Sequence, residues 1–219
     1  LFSNFNAVYP QNIETKNYLY KLGAKNIIEI GNLKFSENES KVNFISKNKI
    51  KELSKRKELW CASSTHNFEE IICAEAHKNL KHKYNNLLTI IIPRHIHRVK
   101  EITLSIKKIG LNVHCHSSNK KIQRNTDIYL VDTFGETKDF FKISKIVFLG
   151  GSIIKHGGQN PLEAVRFGCK ILHGKHTKNF HDIYTLLKKN KQSTQVNSYK
   201  QISSSIEKIF KTRNYSTIF

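Results

Sequence analysis

The sequence lacks several features that mark whole classes of protein. Three prolines, ten glycines and four cysteines in 219 residues exclude collagen-like, mucin-like and disulfide-scaffold chains. The longest apolar run, at 87–92, is far shorter than the roughly 18 residues of a membrane-spanning helix. Methionine is absent and position 1 is Leu, so we expect a piece of a longer protein. The remaining composition, with 38% hydrophobic residues, is typical of a globular domain.

Acidic residues are scarce, since 17 Asp and Glu stand against 37 Lys and Arg and give a net charge of +20. That charge predicts a general attraction to anionic membranes or nucleic acid. However, six of the basic residues are Arg, the side chain that suits bidentate phosphate contacts. Zinc-finger spacing and an RNP-like alternation of aromatic and basic residues are also missing. The sequence therefore predicts no specific nucleic-acid site.

Cysteine and histidine spacing gives no metal or redox motif. Four cysteines occur without a C-x-x-C pair: Cys61, Cys73, Cys115 and Cys169. We expect reduced and largely buried thiols. The pairs at 95 and 97 and at 114 and 116 lack a third ligand at a suitable interval, which predicts no structural metal. Walker-type and G-x-G-x-x-G loops are absent as well, so no cofactor is expected.

Short apolar runs alternate with amphipathic stretches of helical period, which predicts an α/β fold with a parallel sheet. Predicted strands are 58–63, 87–92, 111–116, 127–132, 145–150, 170–174 and 195–197. Predicted helices are 67–82, 95–109, 136–143, 161–167, 179–190 and 199–211. Gly110 and Gly168 stand where helix C-caps are expected.

The composition predicts three successive segments. Residues 1–35 form the end of one α/β domain, with strands at 5–10 and 26–32 around a helix at 11–22 that Gly23 closes. Residues 36–57 turn polar and charged, as in a linker that holds one helix. Residues 58–219 form a nearly complete second domain. The cleft between two such domains is a common ligand site.

The stretch 148–168 carries the strongest chemical signal. A predicted strand runs into glycines at 150–151 and 157–158, and a helix then begins with Asn160 as N-cap, Pro161 in the first turn and Glu163 reaching back to the cap. Glycines let backbone N–H groups approach a ligand, and a helix N-terminus favours anions. The motif predicts a phosphate or carboxylate site, although a well-capped helix after a tight turn explains part of it.

Three other predicted strand ends carry polar or aromatic side chains. Arg94 follows one strand, and Phe134, Gly135 and Glu136 follow another. Open α/β sheets bind ligands at such ends, so an anion contact and a nucleoside contact are expected there. His66 follows a third strand and is placed to face the cleft. Ordinary surface turns and helix caps remain the alternative for each.

In order along the chain, these segments resemble the 3-deoxy-D-manno-octulosonic acid (Kdo) transferases. The matching stretches run from Pro10 to Asn190: LGAKNIIEIGNLKF, SSTHNFEE, PRHIHR, DTFGE, FLGGSIIKHGGQNPLEA and GKHTKNFHDIY. The resemblance implies a GT-B-type glycosyltransferase, with 1–35 ending the N-terminal acceptor-side domain and 58–219 forming the C-terminal Rossmann-like domain that binds CMP-Kdo.

The resemblance also implies the chemistry and the site. Kdo would pass from CMP-Kdo to the lipid A precursor (lipid IVA) in lipopolysaccharide core biosynthesis, by an inverting, metal-independent transfer at the cytoplasmic face of the bacterial inner membrane. The catalytic glutamate would lie upstream of Leu1, so the chain alone would be inactive. Donor contacts fall on Pro93, Arg94, Phe134, Gly135, Glu136, Asn160, Pro161, Leu162 and Glu163, with Gly150, Gly151, Ser152 and His66 near the cleft.

The chain departs from the family pattern at several positions. The family usually has Gly at Phe68, Pro-Glu at 96–97, His at Gln159, and Pro at Ala164 and Lys175. Gln159 lies in the donor loop, so it bears on affinity. Two other functions stay open: a GT-B UDP-sugar transferase or epimerase, and a degenerate, non-catalytic basic protein. Selectivity for UDP would favour the first, and salt-sensitive lipid or DNA binding without nucleotide affinity the second.

Overall fold

A computed structural model describes residues 2–10, 13–28 and 44–215, with side chains of the last range described for 48–212. The chain divides into two compact units, 1–41 and 42–219. The smaller unit contains a 3-10 helix at Phe2–Asn4 and helix α1 at Ile13–Lys21. Gly23, at φ 83°, follows α1 as expected. The predicted strands appear as a single parallel bridge between Val8 and Ile27, and residues 29–32 lie outside the described residues.

The larger unit is built on a seven-stranded parallel sheet in the order β3-β4-β2-β1-β5-β6-β7. Its strands are β1 Leu59–Thr65, β2 Leu88–Pro93, β3 Val113–Cys115, β4 Ile128–Leu130, β5 Ile146–Leu149, β6 Lys170–His173 and β7 Ser193–Gln195. Each predicted strand of this unit is present, and the Rossmann-like α/β fold is confirmed. The central strands β1 and β2 are almost wholly buried, which explains their continuous apolar sequence.

Helices cover both faces of the sheet and connect most successive strands, whereas β3 and β4 are joined by a stretch without a helix. They are α2 Phe44–Leu53, α3 Glu69–Lys81, α4 Val99–Lys108, α5 Thr137–Ile143, α6 Leu162–Arg166, α7 His181–Lys189 and α8 Tyr199–Tyr215, with 3-10 turns at Ile96–Arg98 and Lys178–Phe180. Gly110 and Gly168 adopt φ 90° and 76° just after α4 and α6, as helix C-caps do. None of the described helices is long and apolar enough to cross a membrane.

Alternation along the strands sends side chains into two separate cores. Trp60 and Ala62 of β1 pack on the face that α3, α4 and α8 cover, whereas Leu59 and Cys61 pack on the face of α5, α6 and α7. Leu53 of α2 is 1% exposed and joins the second core. The span predicted as a linker thus contains a helix that is packed into the larger unit.

The thiols behave as the sequence predicts. Cys61, Cys73 and Cys169 are buried and Cys115 is half-buried, and all four are free. Burial raises the pKa of the Cys169 thiol to about 12, so it stays protonated and inert at neutral pH.

Candidate functional site

The strand order creates a topological switch point between β1 and β5. Strands β2, β3 and β4 lie on one side of β1. The chain then crosses to the other side of β1, where it forms β5, β6 and β7. The helices that follow β1 and β5 pack on opposite faces of the sheet, an arrangement that in open α/β sheets forms a crevice at the carboxyl edge. Ligands of open α/β sheets bind at such crevices.

A buried glutamate fills the floor of this crevice. Glu69, the first residue of α3, has 0% exposure. Its Oε2 accepts the backbone N–H groups of His66 at 3.0 Å and Gly151 at 2.7 Å, and its Oε1 accepts those of Ser152 at 3.1 Å and Ile153 at 3.0 Å. One carboxylate thus ties the end of β1 to the loop after β5 by four charge-assisted hydrogen bonds.

The glycine-rich loop consequently offers fewer backbone donors than its sequence suggests. The N–H of Gly150 donates to the carbonyl of Ser63 at 2.9 Å, and those of Gly151 and Ser152 donate to the buried carboxylate. A larger side chain does not fit at Gly150, because a Cβ there would lie 2.6 Å from the Cα of Thr65. A ligand role for 150–152 stays a prediction. The helix predicted at 67–82 places Glu69 in its first turn.

A group of histidines lines the crevice above this carboxylate. The ring of His66, 7% exposed, lies 4.3 Å from the ring of His156 and 5.6 Å edge-on from that of His95. Burial lowers the pKa of His66, the His156 ring lowers it further, and Glu69 acts in the opposite direction. Nε2 of His66 is buried without a hydrogen-bond partner among the described residues. His66 therefore presents a neutral, unpartnered ring nitrogen beside the switch point.

Arg94 stands at the end of the neighbouring strand. Pro93 closes β2 and pairs with Thr65, and the Arg94 N–H donates to the Thr65 carbonyl at 2.9 Å. The Arg94 side chain is exposed, and it is close enough for its charge to help lower the pKa of His66. Since Arg94 has no ion pair within the described residues, its guanidinium is available to an anion at the crevice.

The loop after β4 holds a second carboxylate. Phe134 is 74% exposed and Gly135 adopts φ 88°, so the loop projects its ring and exposes its backbone. Oε2 of Glu136 lies 3.0 Å from Nε2 of His116 and also accepts a short hydrogen bond from the Thr133 hydroxyl. The sequence predicts Glu136 as a ligand contact but gives no sign that His116 binds it.

The start of α6 is only partly as predicted. Asn160 Oδ1 accepts the N–H of Leu162 at 3.1 Å, but the helix begins at Leu162, so Pro161 and not the predicted Asn160 stands at the N-cap position. Pro161 is buried at the helix start. The prediction that Glu163 reaches back to the cap is wrong. Its Oε1 instead pairs with Nζ of Lys138 on α5 at 3.5 Å. The helix has five residues, so its dipole adds little charge.

The connection between β5 and α6 is held by its backbone. Gly157 and Gly158 adopt φ 106° and 80°, and the Gly158 N–H donates to the Gly151 carbonyl at 2.8 Å. The Gln159 carbonyl accepts a hydrogen bond from the Tyr184 hydroxyl at 3.0 Å. Because Gln159 is held through its main chain, the side chain at this position does not determine the course of the loop.

The predicted residues therefore fall into two neighbourhoods at the carboxyl edge. One neighbourhood surrounds the switch point and contains His66, Arg94 and 150–152. These residues are far apart in sequence, and the strand order brings them together. The other neighbourhood contains Glu136 and Glu163. Glu136 immediately precedes α5, and Lys138 of α5 forms an ion pair with Glu163. Sequence analysis missed Glu69, His116 and His156 as members of these groups, since each contacts residues from a different strand-end loop.

No family model matches the chain. Relatives do match. The 3-deoxy-D-manno-octulosonic acid transferase of Haemophilus influenzae is 36% identical over 189 residues, which cover 85% of this chain and 44% of the relative. That of Rickettsia bellii is 32% identical over 214 residues, 98% of this chain and 51% of the relative. The chain thus spans about half the length of the curated relatives it matches.

The solved structures agree with the sequence comparison. The C-terminal CMP-Kdo binding domain of WaaA from Acinetobacter baumannii superposes with a TM-score of 0.68 at 25% identity, over 74% of this chain and 86% of that chain. The GT-B-type C-terminal fold expected from the motifs is thereby confirmed. The chain is homologous to the Kdo transferases over about half of their length, and it shares its fold with the C-terminal CMP-Kdo binding domain of WaaA.

Proposed function

We propose that the chain is the donor-binding part of a Kdo transferase and holds CMP-Kdo at the carboxyl edge of its sheet. The observation that carries the proposal is the similarity to a CMP-Kdo binding domain. It is combined with the position of Arg94 and His66 at strand ends beside the switch point, and of Glu136 after β4 at the same edge of the sheet. The whole enzyme would transfer Kdo to the lipid A precursor lipid IVA in lipopolysaccharide biosynthesis.

The side chains supply suitable groups for such a donor. Arg94 offers an exposed cation to the phosphate, and it would stabilise the negative charge that develops as CMP leaves. The exposed ring of Phe134 can stack on the base, while the carboxylates of Glu136 and Glu163 accept hydrogen bonds from hydroxyl or amino groups. The short α6 makes Arg94, rather than a helix dipole, the main source of positive charge.

Activation of the acceptor is a separate role from donor binding. The family resemblance assigns that role to a glutamate of the acceptor-side domain, of which 1–35 would be the end. The transfer would be inverting and independent of a metal, with that base deprotonating the acceptor hydroxyl. We therefore expect the residues at the carboxyl edge to contribute to nucleotide binding rather than to deprotonation of the acceptor.

Membrane contact is proposed for a second surface. A groove of about 1000 Å³ lies between α2 and the segment 120–124. It is lined by Asn48, Lys51, Glu52, Lys55, Lys120, Lys121, Ile122, Gln123 and Arg124. Five cations against one carboxylate favour anionic headgroups, at about 1 kcal/mol for each basic residue near such a surface. This fits an enzyme that works at the cytoplasmic face of the inner membrane on a lipid acceptor.

Calorimetric titration of the chain with CMP tests the donor proposal. We expect CMP to bind more tightly than UMP, and we expect an Arg94→Ala, Glu163→Ala double variant to lose that binding. Lys178→Ala, which changes an exposed cation on the later 3-10 turn, is the matched control and should bind as the wild type does. Equal affinity for CMP and UMP, or no binding of either, would reject a CMP-Kdo site.

A further inference from the structure

The contacts of Glu136 extend into the protein through His116. His116 comes directly after β3 and is 5% exposed. Its Nε2 lies 3.0 Å from Glu136 Oε2, and its Nδ1 lies 2.7 Å from the hydroxyl of Tyr129 on β4. The Thr133 hydroxyl donates to the same Oε2. A continuous line of side chains thus joins the interior of the sheet to the loop after β4.

The direction of these hydrogen bonds follows from what each group can do. A carboxylate only accepts, so Nε2 of His116 carries a proton and donates to Glu136. Burial lowers the pKa of His116, more than the nearby Glu136 opposes it, and burial raises the pKa of Tyr129. The ring is therefore neutral at pH 7, and Nδ1 accepts from the Tyr129 hydroxyl. Every bond points the same way, from Tyr129 through His116 to the carboxylate.

Packing fixes the imidazole in this orientation. The ring of Phe140 meets it edge-on at 5.5 Å, and the Tyr129 ring meets it edge-on at 5.6 Å. From α2, Lys49 Nζ donates to the main-chain carbonyl of His116 and, at 3.1 Å, to that of Ser118. Two aromatic neighbours thus hold the His116 ring and two hydrogen bonds from Lys49 hold the adjacent main chain, so the direction of Nε2–H is fixed.

The result is a carboxylate with one oxygen occupied and the other open. Both side-chain donors reach Oε2 of Glu136, whereas Oε1 has no partner among the described residues. The side chain is 17% exposed, so Oε1 is accessible from the carboxyl edge of the sheet. Two donors on one oxygen prevent rotation of the group, which presents the other oxygen in a fixed direction.

We propose that His116 is a positioning residue that holds Glu136 so that its Oε1 accepts a hydrogen bond from an N–H or O–H group of the bound nucleotide. This inference rests on the proposed function, since it takes the loop after β4 to contact the nucleotide. Two parts of CMP offer such donors, the exocyclic amine of cytosine and the ribose hydroxyls. UMP lacks the amine and 2′-deoxy-CMP lacks the 2′-hydroxyl, so loss of the effect with one analogue identifies that group, and an effect kept with both identifies the 3′-hydroxyl.

The test measures CMP affinity by calorimetry for the wild type and two substitutions at one position. His116→Ala removes the donor and should weaken CMP binding about tenfold. His116→Gln should restore most of that loss, because the amide nitrogen of Gln can take the place of Nε2–H. His114→Gln is the matched control. His114 lies on β3, two residues before His116, and stacks on Tyr129 at 5.6 Å, and its substitution should leave affinity unchanged.

The analogues then identify the group that Glu136 binds. If the cytosine amine is the donor, His116→Ala should lose its effect with UMP and keep it with 2′-deoxy-CMP. If the 2′-hydroxyl is the donor, the reverse is expected. Wild-type affinity for CMP in His116→Ala, or an equal loss in His116→Ala and His116→Gln, would overturn the inference. A wild-type chain that fails to bind CMP would instead reject the proposed function on which the inference rests.

A spectroscopic readout separates positioning from simple structural support. In the free wild-type chain, ¹⁵N NMR of the histidine rings should show His116 as the Nε2–H tautomer at pH 7.5. Tyr129→Phe removes the donor to Nδ1 and should weaken that preference, while circular dichroism verifies that the variant is folded. The Nδ1–H tautomer in the wild type would overturn the inference whatever the nucleotide affinities.

Discussion

Two loops at the same edge of the sheet, after β5 and after β4, each meet a glutamate, and they use it in opposite ways. Glu69 gives both oxygens to four backbone N–H groups and is wholly buried. Glu136 receives side-chain donors on one oxygen and keeps the other accessible. The first carboxylate completes the fold, and the second is available to a ligand.

The difference shows why a glycine-rich sequence is not in itself a ligand site. Successive backbone N–H groups form an anion-binding concavity, and the chain fills that concavity with its own anion. The loop with one glycine, at 135, leaves its carboxylate partly unsatisfied instead. At this edge, the glycine-rich loop after β5 is closed by an internal carboxylate. The loop after β4, in which side-chain donors occupy one oxygen of Glu136, is the one that leaves an acceptor for a ligand.

The largest expected effect is the loss of the buried carboxylate. Glu69→Ala leaves four N–H groups without their acceptor, at about 1 kcal/mol or more each, so we expect a loss of about 4 kcal/mol in the free energy of unfolding. Urea unfolding followed by circular dichroism measures it. Glu69→Gln keeps one acceptor oxygen and should fall between the Ala variant and the wild type.

Glu101→Ala is the control for this substitution. Its carboxylate is 60% exposed and pairs with Arg98 at 3.3 Å on the surface of α4, so its removal should change stability by less than about 1 kcal/mol. If Glu69→Ala is no less stable than Glu101→Ala, the loop after β5 does not depend on its internal anion, and the contrast between the two loops fails.

Alanine at one glycine of each loop sharpens the contrast. A Cβ at Gly150 would lie 2.6 Å from the Thr65 Cα and 2.8 Å from Glu69 Oε2, so Gly150→Ala should cost about 3 kcal/mol. Gly135 has open space around that position but φ 88°, so Gly135→Ala should cost about 1 kcal/mol in backbone strain. Thermal unfolding of the two variants measures the order, and the reverse order would contradict the packing difference.

Much of the fold could be predicted because its signals are local. Buried parallel strands are continuous apolar runs, and glycines such as Gly110 and Gly168 mark helix ends, so every strand of the larger unit was found within a few residues. The packed position of α2 was not evident, because the span 36–57 is mostly polar and its contribution to the core comes from positions such as Leu53.

The site was predicted less completely because its decisive contacts join distant positions. Glu69 meets residues 82–84 positions later, and those pairs exist only because β5 lies beside β1. His116 meets Glu136 because β3 lies beside β4. Sequence spacing shows which side chains follow strands, but strand order decides which of them meet.

The smallest effect is expected at Phe68, the residue that immediately precedes Glu69. Phe68 adopts φ 72°, where side chains are strained, and its ring is 69% exposed. The resembled family usually has Gly there, which this backbone angle explains. Phe68→Gly should therefore stabilise the chain, by about 0.5–1 kcal/mol after the greater freedom of Gly in the unfolded state is counted. Urea unfolding of the variant measures the change.

Phe134→Gly, in the loop after β4, is the matched control. Its ring is similarly exposed, at 74%, but Phe134 is not among the residues with positive φ, so glycine should bring no relief and a slight loss of stability. Higher stability of Phe68→Gly together with lower stability of Phe134→Gly would show that the positive φ of Phe68 strains the loop after β1, even though the Glu69 hydrogen bonds stabilise that loop. A loss at both would mean that the Phe68 ring contributes packing that outweighs its backbone strain.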